Sequence, residues 1–175
     1  KTADMKRLTA IEHKIEVQKE LTKDDLRFLY EVDATIEGFG YFRDPRIGEI
    51  MFYRNRKKDL SLATGYSQEQ ISLNEKEAMQ GDIKFHYGDL IFHNIFLTEG
   101  LELPENVSGY LKLSSLTSID GLKLPKRVGG YLDLRSITSA EGLVLPETIG
   151  GNLYLNDLIS ADGLTLPETV GGSII

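Results

Sequence analysis

The chain has 175 residues, of which 41% are apolar and 27% are charged, the composition of a folded globular protein. It contains no cysteine, which excludes disulfide scaffolds, cysteine-ligated zinc, iron–sulfur clusters and thiol catalysis. The formal charge is −7, from 20 basic and 27 acidic residues, so we expect neither nucleic acid nor a membrane surface as the main partner.

The one basic run comprises Arg54, Arg56, Lys57 and Lys58. No apolar stretch approaches the length of a membrane span, and no signal peptide is evident. We therefore expect a cytoplasmic protein, with a secreted effector as the alternative.

Residues 1–80 predict a small helical subdomain. Apolar side chains recur at helical spacing across residues 4–20, which indicates a first amphipathic helix. Thr22 and Asp25 have the spacing of a capping box, and the helix they start continues to Ile36 before glycines at 38 and 40.

Two more helix starts follow in this half. Asp44-Pro45 combines a carboxylate that can accept the first N–H groups with a proline at a position that needs no donor. Ser67 and Gln70 have capping-box spacing and predict a short helix near residues 68–79. The aromatic segment 39–42, which precedes Asp44, is expected to form core between the helices and the solenoid.

Residues 81–175 contain a repeat of 21 residues, the strongest signal in the chain. Proline and glycine recur at this interval, and apolar columns keep the same register. The main columns are Pro104, Pro125, Pro146, Pro167; Gly109, Gly130, Gly151, Gly172; Gly100, Gly121, Gly142, Gly163; and Leu90, Leu111, Leu132, Leu153.

Each repeat holds two short alternating runs, such as residues 110–113 and 122–124, which is the period of a half-buried strand. Neither run can bury its leucines alone, so successive copies must stack into a solenoid around a continuous leucine core. The glycines suit turns with positive φ or close approach of coils, and each proline is expected to end the second strand.

This pattern resembles leucine-rich repeats, which combine a Leu-x-Leu strand with a turn and a returning segment. The asparagine of that family is replaced here by Leu116, Ile137 and Leu158, so a two- or three-sided β-solenoid is the competing cross-section. A helical segment followed by Leu-Pro repeats also resembles secreted bacterial effectors, and the chain is similar to C-terminal parts of larger uncharacterised bacterial proteins.

The predicted fold class is α+β, a helical subdomain (1–80) capping a solenoid (81–175). The solenoid comprises a divergent first coil (81–100), three repeats (101–121, 122–142, 143–163) and a partial one (164–175). Ile174 and Ile175 leave the last coil without a polar cap. We expect a longer natural protein, or an end covered by a partner or by self-association.

Candidate binding residues occupy the outward positions of the first strand in each repeat, where the side chains vary between copies. The predicted partner-binding residues are Tyr110, Lys112, Tyr131, Asp133, Arg135, Tyr154 and Asn156. The same patch also includes Asp89, Ile91, His93, Ser114 and Asn152. Tyrosine offers a large contact area and a hydroxyl at low entropic cost, which suits recognition. The alternative is that Tyr110 and Tyr131 stack only to stabilise the sheet.

No pattern predicts catalysis, a metal site or a cofactor. The acid column Glu99, Asp120, Glu141, Asp162 indicates turn-stabilising residues more than a calcium ladder, because each coil offers one carboxylate. The serines Ser118, Ser139 and Ser160 are expected to bond local backbone. His86 and His93 have no evident third ligand and are expected to pack or to lie at the surface.

The sequence thus favours a non-enzymatic module that binds a protein through the outward face of the repeat sheet. The alternatives are a structural or self-assembly element, and a targeting arm of a larger enzyme whose catalytic domain lies elsewhere.

Overall fold

A computed structural model describes residues 2–36, 44–93 and 100–175. The chain divides into two compact units, Lys1–Gln68 and Glu69–Ile175. The first is helical and the second is a β-solenoid, so the α+β fold class predicted from the sequence is confirmed. The expectation that the helices cap the solenoid stays a prediction.

The described part of the helical unit contains α1 (Thr2–Glu16), α2 (Lys23–Leu29), α3 (Pro45–Phe52) and α4 (Arg56–Thr64). Each helix places apolar side chains in the interior, where Leu8, Leu26, Ile47 and Leu60 are at most 1% exposed. These positions follow the helical periodicity of the sequence.

Two predicted helix starts are confirmed at the level of hydrogen bonds. At α2 the Thr22 hydroxyl accepts from the Asp25 N–H at 3.2 Å, and the Asp25 carboxylate accepts from the Thr22 N–H at 2.8 Å. At α3 the Asp44 carboxylate accepts from the Arg46 N–H at 3.0 Å, with Pro45 in the first turn. Both caps satisfy donors that the helix leaves unpaired.

The extent of two helical segments differs from the prediction. Helix α2 ends at Leu29 rather than near Ile36, because Glu31 adopts a φ of 52° and its carboxylate accepts from the Ile36 N–H. The glycines at 38 and 40 and the aromatic segment 39–42 lie outside the described residues. Helix α4 carries too weak an apolar stripe to be found from periodicity, since its first turn is polar and basic.

A buried ion pair joins the α3–α4 connection to α4, and Tyr30 at the end of α2 bonds to the same carboxylate. Asp59 is 5% exposed and receives two hydrogen bonds from the Arg54 guanidinium, at 2.5 and 2.9 Å. The Tyr30 hydroxyl donates to the same carboxylate at 2.9 Å. The hydrogen bond to Asp59 raises the pKa of Arg54, so the guanidinium keeps its charge.

The described part of the second unit consists of short strands and the helix α5 (Glu75–Ala78). Its strands are β1 (Ile71–Ser72), β2 (Phe85–His86), β3 (Leu90–Ile91), β4 (Asn106–Val107), β5 (Leu111–Lys112), β6 (Arg127–Val128), β7 (Leu132–Asp133), β8 (Thr148–Ile149), β9 (Leu153–Tyr154) and β10 (Thr169–Val170). They form a six-stranded sheet, β1-β2-β4-β6-β8-β10, and a four-stranded sheet, β3-β5-β7-β9.

All strand pairs in both sheets are parallel, and from β2 onward each strand pairs with its equivalent 21 residues later. Leu90 faces Leu111, Leu111 faces Leu132, and Leu132 faces Leu153. All four leucines are fully buried. The stacked leucine core is therefore confirmed, and two parallel sheets per coil make the unit a β-solenoid.

The second strand of each coil does not lie where the sequence predicts it. The run Leu122-Lys123-Leu124 is not a strand, and the paired segment Arg127–Val128 comes after Pro125 instead of before it. A proline just ahead of a strand removes no ladder hydrogen bond, and the ladder starts with the Lys126 N–H donating to the Glu105 carbonyl at 2.8 Å. The expectation that proline ends this strand is wrong.

Two glycine columns have the two roles expected of them. Gly121, Gly142 and Gly163 have φ values of 74°, 72° and 79°, which an L side chain rarely adopts. At Gly129 and Gly150 a Cβ atom would lie 2.0 Å from a carbonyl oxygen of the preceding coil. The coils can stack at this corner only because no side chain is present.

Residues 69–80 belong to the solenoid. The repeat register predicts a boundary between residues 80 and 81, and the spacing of Ser67 and Gln70 predicts a short helix near residues 68–79. In the structure a 3₁₀ turn (Gln68–Gln70) leads into β1, which pairs with β2, and α5 follows. Ala78 of α5 is part of the solenoid core. The single predicted helix is thus replaced by three short elements, because strand pairing outweighs the local capping signal.

In the described part of the chain, no helix is both long enough and apolar enough to cross a lipid bilayer.

Candidate functional site

The candidate site is the outward face of the four-stranded sheet. We call it the tyrosine face, defined by Tyr110, Lys112, Tyr131, Asp133, Arg135, Tyr154 and Asn156. Alternation along the strands turns Leu111, Leu132 and Leu153 inward and their neighbours outward. At Gly130, a Cβ atom would lie 2.7 Å from the backbone nitrogen of Tyr110, so this glycine lets adjacent coils approach beneath the tyrosines.

Three tyrosine rings form one connected cluster on this face. Tyr110 and Tyr131 stack with their ring centroids 4.4 Å apart and their planes 6° from parallel. Tyr154 meets Tyr131 edge-on, with centroids 5.8 Å apart and an interplanar angle of 87°. The Asn152 amide donates to the Tyr154 hydroxyl at 3.0 Å and orients it. The cluster thus presents ring edges and hydroxyl groups at fixed positions.

Asp133 and Arg135 form an ion pair beside the rings. The Arg135 guanidinium donates to both carboxylate oxygens, with Nε–Oδ1 and Nη2–Oδ2 distances of 2.9 and 2.7 Å. Its central carbon also lies 5.5 Å from the centroid of the Tyr154 ring. Asp133 is only 1% exposed, although the sequence places it among the outward residues. Its side chain does point outward, but Arg135 folds back over it.

The electrostatic surroundings keep the Tyr131 hydroxyl protonated. Burial raises the pKa of Tyr131, and the neighbouring Tyr110 and Asp133 add to the effect. The same ion pair with Asp133 raises the pKa of Arg135. The face therefore offers a neutral phenol and a permanent cation side by side.

The remaining predicted residues contribute differently. Lys112 is half-buried and lies opposite Asp133 in the ladder. Asn156 is exposed and makes no hydrogen bond within the described part of the chain. The side chains of Asp89 and Asn152 accept hydrogen bonds from the backbone N–H groups of Tyr110 and Ser173 in the next coil, at 3.1 and 2.9 Å. These two residues therefore join successive coils, a role that alternation alone does not reveal.

The acid column lies at exposed turns. The N–H groups of Asp120, Glu141 and Asp162 donate to the hydroxyls of Ser118, Ser139 and Ser160, at 3.1 to 3.2 Å. The predicted backbone role of the serine column is confirmed. Glu99 lies outside the described residues, and among residues 2–36, 44–93 and 100–175 no group of three or more histidine, aspartate or glutamate side chains could hold a metal ion.

A ladder of alternating charges runs along the six-stranded sheet. Glu105 pairs with the amines of Lys84 and Lys126, at 2.8 and 3.2 Å, and both lysines lower the pKa of Glu105. A groove of about 350 Å³ lies beside this ladder, with Leu101, Leu103 and Leu124 in its lining. Sequence reasoning missed this ladder, although the alternation Lys84, Glu105, Lys126 follows the repeat.

No protein-family model, curated protein or solved structure matches this chain.

Proposed function

We propose that the chain is a non-enzymatic module that binds a partner protein through the tyrosine face of its solenoid. The observation that carries this proposal is the connected cluster of Tyr110, Tyr131 and Tyr154 with an ion pair at its edge. Tyrosine and arginine are enriched among the residues that dominate protein–protein affinity.

Rigidity supports the same proposal. The rings are fixed by stacking, by the Asn152 amide and by the parallel strands beneath them. A surface that is ordered before binding loses little conformational entropy when a partner arrives. We also propose that the repeat is a variant of the leucine-rich repeat, because it shares the Leu-x-Leu strand followed by a turn and a returning segment.

The alternative, that the tyrosines stack only to stabilise the sheet, is compatible with a binding role for the face. Tyr110 and Tyr131 do stack, as a purely stabilising pair would. Substituting Tyr131 or Arg135 would therefore disturb the fold as well as the face, since Arg135 covers the buried carboxylate of Asp133. A test of binding must change members of the face that support no neighbour.

The test compares proteins captured from a lysate of the source cells by three forms of the chain. The face variant is Lys112→Glu with Asn156→Arg, and the matched control is Lys123→Glu with Thr169→Arg, which makes the same change of net charge at exposed positions away from this face. We expect at least one protein to be retained by the wild type and the control but reduced roughly tenfold on the face variant, as loss of about 1.4 kcal/mol implies.

Equal thermal midpoints of the three forms confirm that the solenoid is intact. If the face variant and the control retain the same proteins in the same amounts, the tyrosine face is not the binding surface.

A further inference from the structure

The helical unit exposes an aromatic pair that its core does not use. Phe52 and Tyr53 lie at the end of α3, where their side chains are 74% and 91% exposed. Their ring centroids are 4.8 Å apart and the rings are nearly perpendicular, at 85°. Two adjacent aromatic rings that stand this far into solvent are costly unless another phase or molecule receives them.

Further apolar side chains extend this surface. Leu62 and Val17 are 55% and 57% exposed, and Ile15 is 36% exposed. Ile15, Tyr53 and Leu62 also line a groove of about 530 Å³, whose charged lining residues are Lys19, Arg54, Lys58, Glu20 and Asp59. The carboxylate of Asp59 is paired with Arg54, so Lys19 and Lys58 outnumber the remaining acid, Glu20. The aromatic pair is thus part of a larger apolar area with a basic border.

The basic run follows the rings directly. Residues 52–58 read Phe-Tyr-Arg-Asn-Arg-Lys-Lys and contain no acidic residue. Arg54 is committed to the buried Asp59, whereas Arg56 and Lys58 are exposed. They lie in the first turn of α4, where the helix dipole disfavours cations, so their placement does not serve the stability of that helix.

The two units of the chain differ in net charge. Residues 1–68 carry 13 basic and 12 acidic side chains, whereas residues 69–175 carry 7 and 15. The net charges are +1 and −8, which add up to the −7 of the whole chain. The basic run therefore lies in the unit with the slightly positive net charge, and this unit does not repel an anionic surface.

We propose that this area, centred on Phe52, Tyr53, Arg56 and Lys58, docks onto an anionic lipid surface. Aromatic rings favour the headgroup level of a bilayer, and neighbouring cations are attracted to anionic headgroups. The protruding rings suit insertion into a soft interface. The attachment is weak and reversible, because the described residues offer one aromatic pair, a few aliphatic side chains and a short basic run as anchors. This goes beyond the protein-binding role proposed for the solenoid.

The test uses the full chain with vesicles of phosphatidylcholine alone and of phosphatidylcholine mixed with phosphatidylserine. Co-sedimentation is measured at low and at physiological salt. We expect binding to the mixed vesicles to exceed binding to the neutral ones by roughly tenfold or more, because each basic residue near an anionic surface strengthens binding about fivefold. Added salt should weaken this binding, since it screens charges beyond about 8 Å.

Two variants separate the contributions. Phe52→Ser with Tyr53→Ser removes the rings, and Arg56→Glu with Lys58→Glu reverses the charge. We expect each to lose at least about tenfold in partition to the mixed vesicles. Val144→Ser is the matched control, because Val144 is an equally exposed apolar residue of the solenoid, at 78%. Thermal midpoints of all forms establish that each is folded.

The proposal is overturned if the wild type binds neither kind of vesicle, or binds both equally. It is also overturned if the ring variant binds as well as the wild type, or if soluble poly-glutamate is bound while vesicles are not, since the surface then fits an acidic protein.

Discussion

His86 is a buried histidine held in its neutral form by two fixed partners. It is 1% exposed, its Nδ1 lies 2.8 Å from the Ser72 hydroxyl, and its Nε2 lies 3.2 Å from the Asp89 carbonyl oxygen. A carbonyl only accepts, so Nε2 carries the proton and Nδ1 accepts from Ser72. Burial lowers the pKa of His86, because a charged imidazolium would lose its hydration there.

This residue predicts a pH dependence of stability in the mildly acidic range. The pKa of His86 is lower in the folded state than the ordinary value of 6.5, so the unfolded chain binds the extra proton first. The stabilisation is complete above about pH 6.5 and is lost as the pH falls toward the folded-state pKa. We expect the urea midpoint of the wild type to drop between about pH 7 and pH 5.

The variant His86→Gln cannot titrate and should show a smaller drop over the same interval. His93→Gln, which changes an exposed histidine of the same unit, should behave like the wild type. Carboxylates with lowered pKa values, such as Asp25 and Glu105, affect stability at more acidic pH and do not obscure the comparison. An identical drop in wild type and His86→Gln would contradict the assignment.

Sequence reasoning succeeds for single residues whose partners are close in the chain. The caps at Thr22 and Asp44 are right because donor and acceptor are two or three residues apart. Asp133 is different, since its burial depends on Arg135 folding back beneath the Tyr154 ring of the next coil. His86 likewise owes its burial to Ser72 on a strand that local sequence does not reveal.

At the scale of the elements, the leucine ladder carries the stability of the solenoid. Leu132 lies between Leu111 and Leu153 and is fully buried. The substitution Leu132→Ala leaves a cavity in the middle of the stack, which should lower the free energy of unfolding by about 2–5 kcal/mol. Chemical denaturation of the full chain measures this loss.

Val144→Ala provides the matched control for that measurement. Val144 belongs to the same repeat region but is 78% exposed, so its shortening should change the free energy of unfolding by less than about 0.5 kcal/mol. Similar losses in the two variants would mean that the leucine column does not form the dry interior.

The periodicity of the sequence predicts that the coils stack, but it does not predict which residues of each coil form strands. A column of leucines every 21 residues requires stacked coils whatever the position of the strands, so the architecture follows from the repeat. Which short run pairs is decided by backbone contacts between coils. Arg127–Val128 forms the ladder, whereas the leucine runs at 143–145 and 164–166 are joined by one isolated bridge, between Val144 and Thr165. Alternation is equally good in both runs and cannot choose between them.

For the whole molecule, the division into units depends on pairing across distance. The capping signal at Ser67 and Gln70 predicts helix, which would assign residues 69–80 to the first unit. Strand β1 instead adds to the edge of the six-stranded sheet, and Ile71 and Ala78 are at most 1% exposed within the second unit. The strand positions of the tyrosine face, by contrast, follow from the repeat register, although the register does not reveal that Asp133 is buried.

This division predicts how fragments of the chain behave. A fragment of residues 69–175 keeps β1, α5 and the Ser72–His86 hydrogen bond, and should unfold cooperatively with a β-rich circular dichroism spectrum. A fragment of residues 81–175 lacks Ile71 and Ala78 and exposes the β2 edge and Phe85, which is 3% exposed in the intact unit. Because uncovered apolar surface and an unpaired edge are both unfavourable, its thermal midpoint should be lower by roughly 5 °C or more.

The fragment 69–175 carrying Ile71→Ala should have a thermal midpoint between those of the two fragments, since it keeps the strand but loses most of the side chain. Equal midpoints for the two fragments would place residues 69–80 outside the cooperative solenoid.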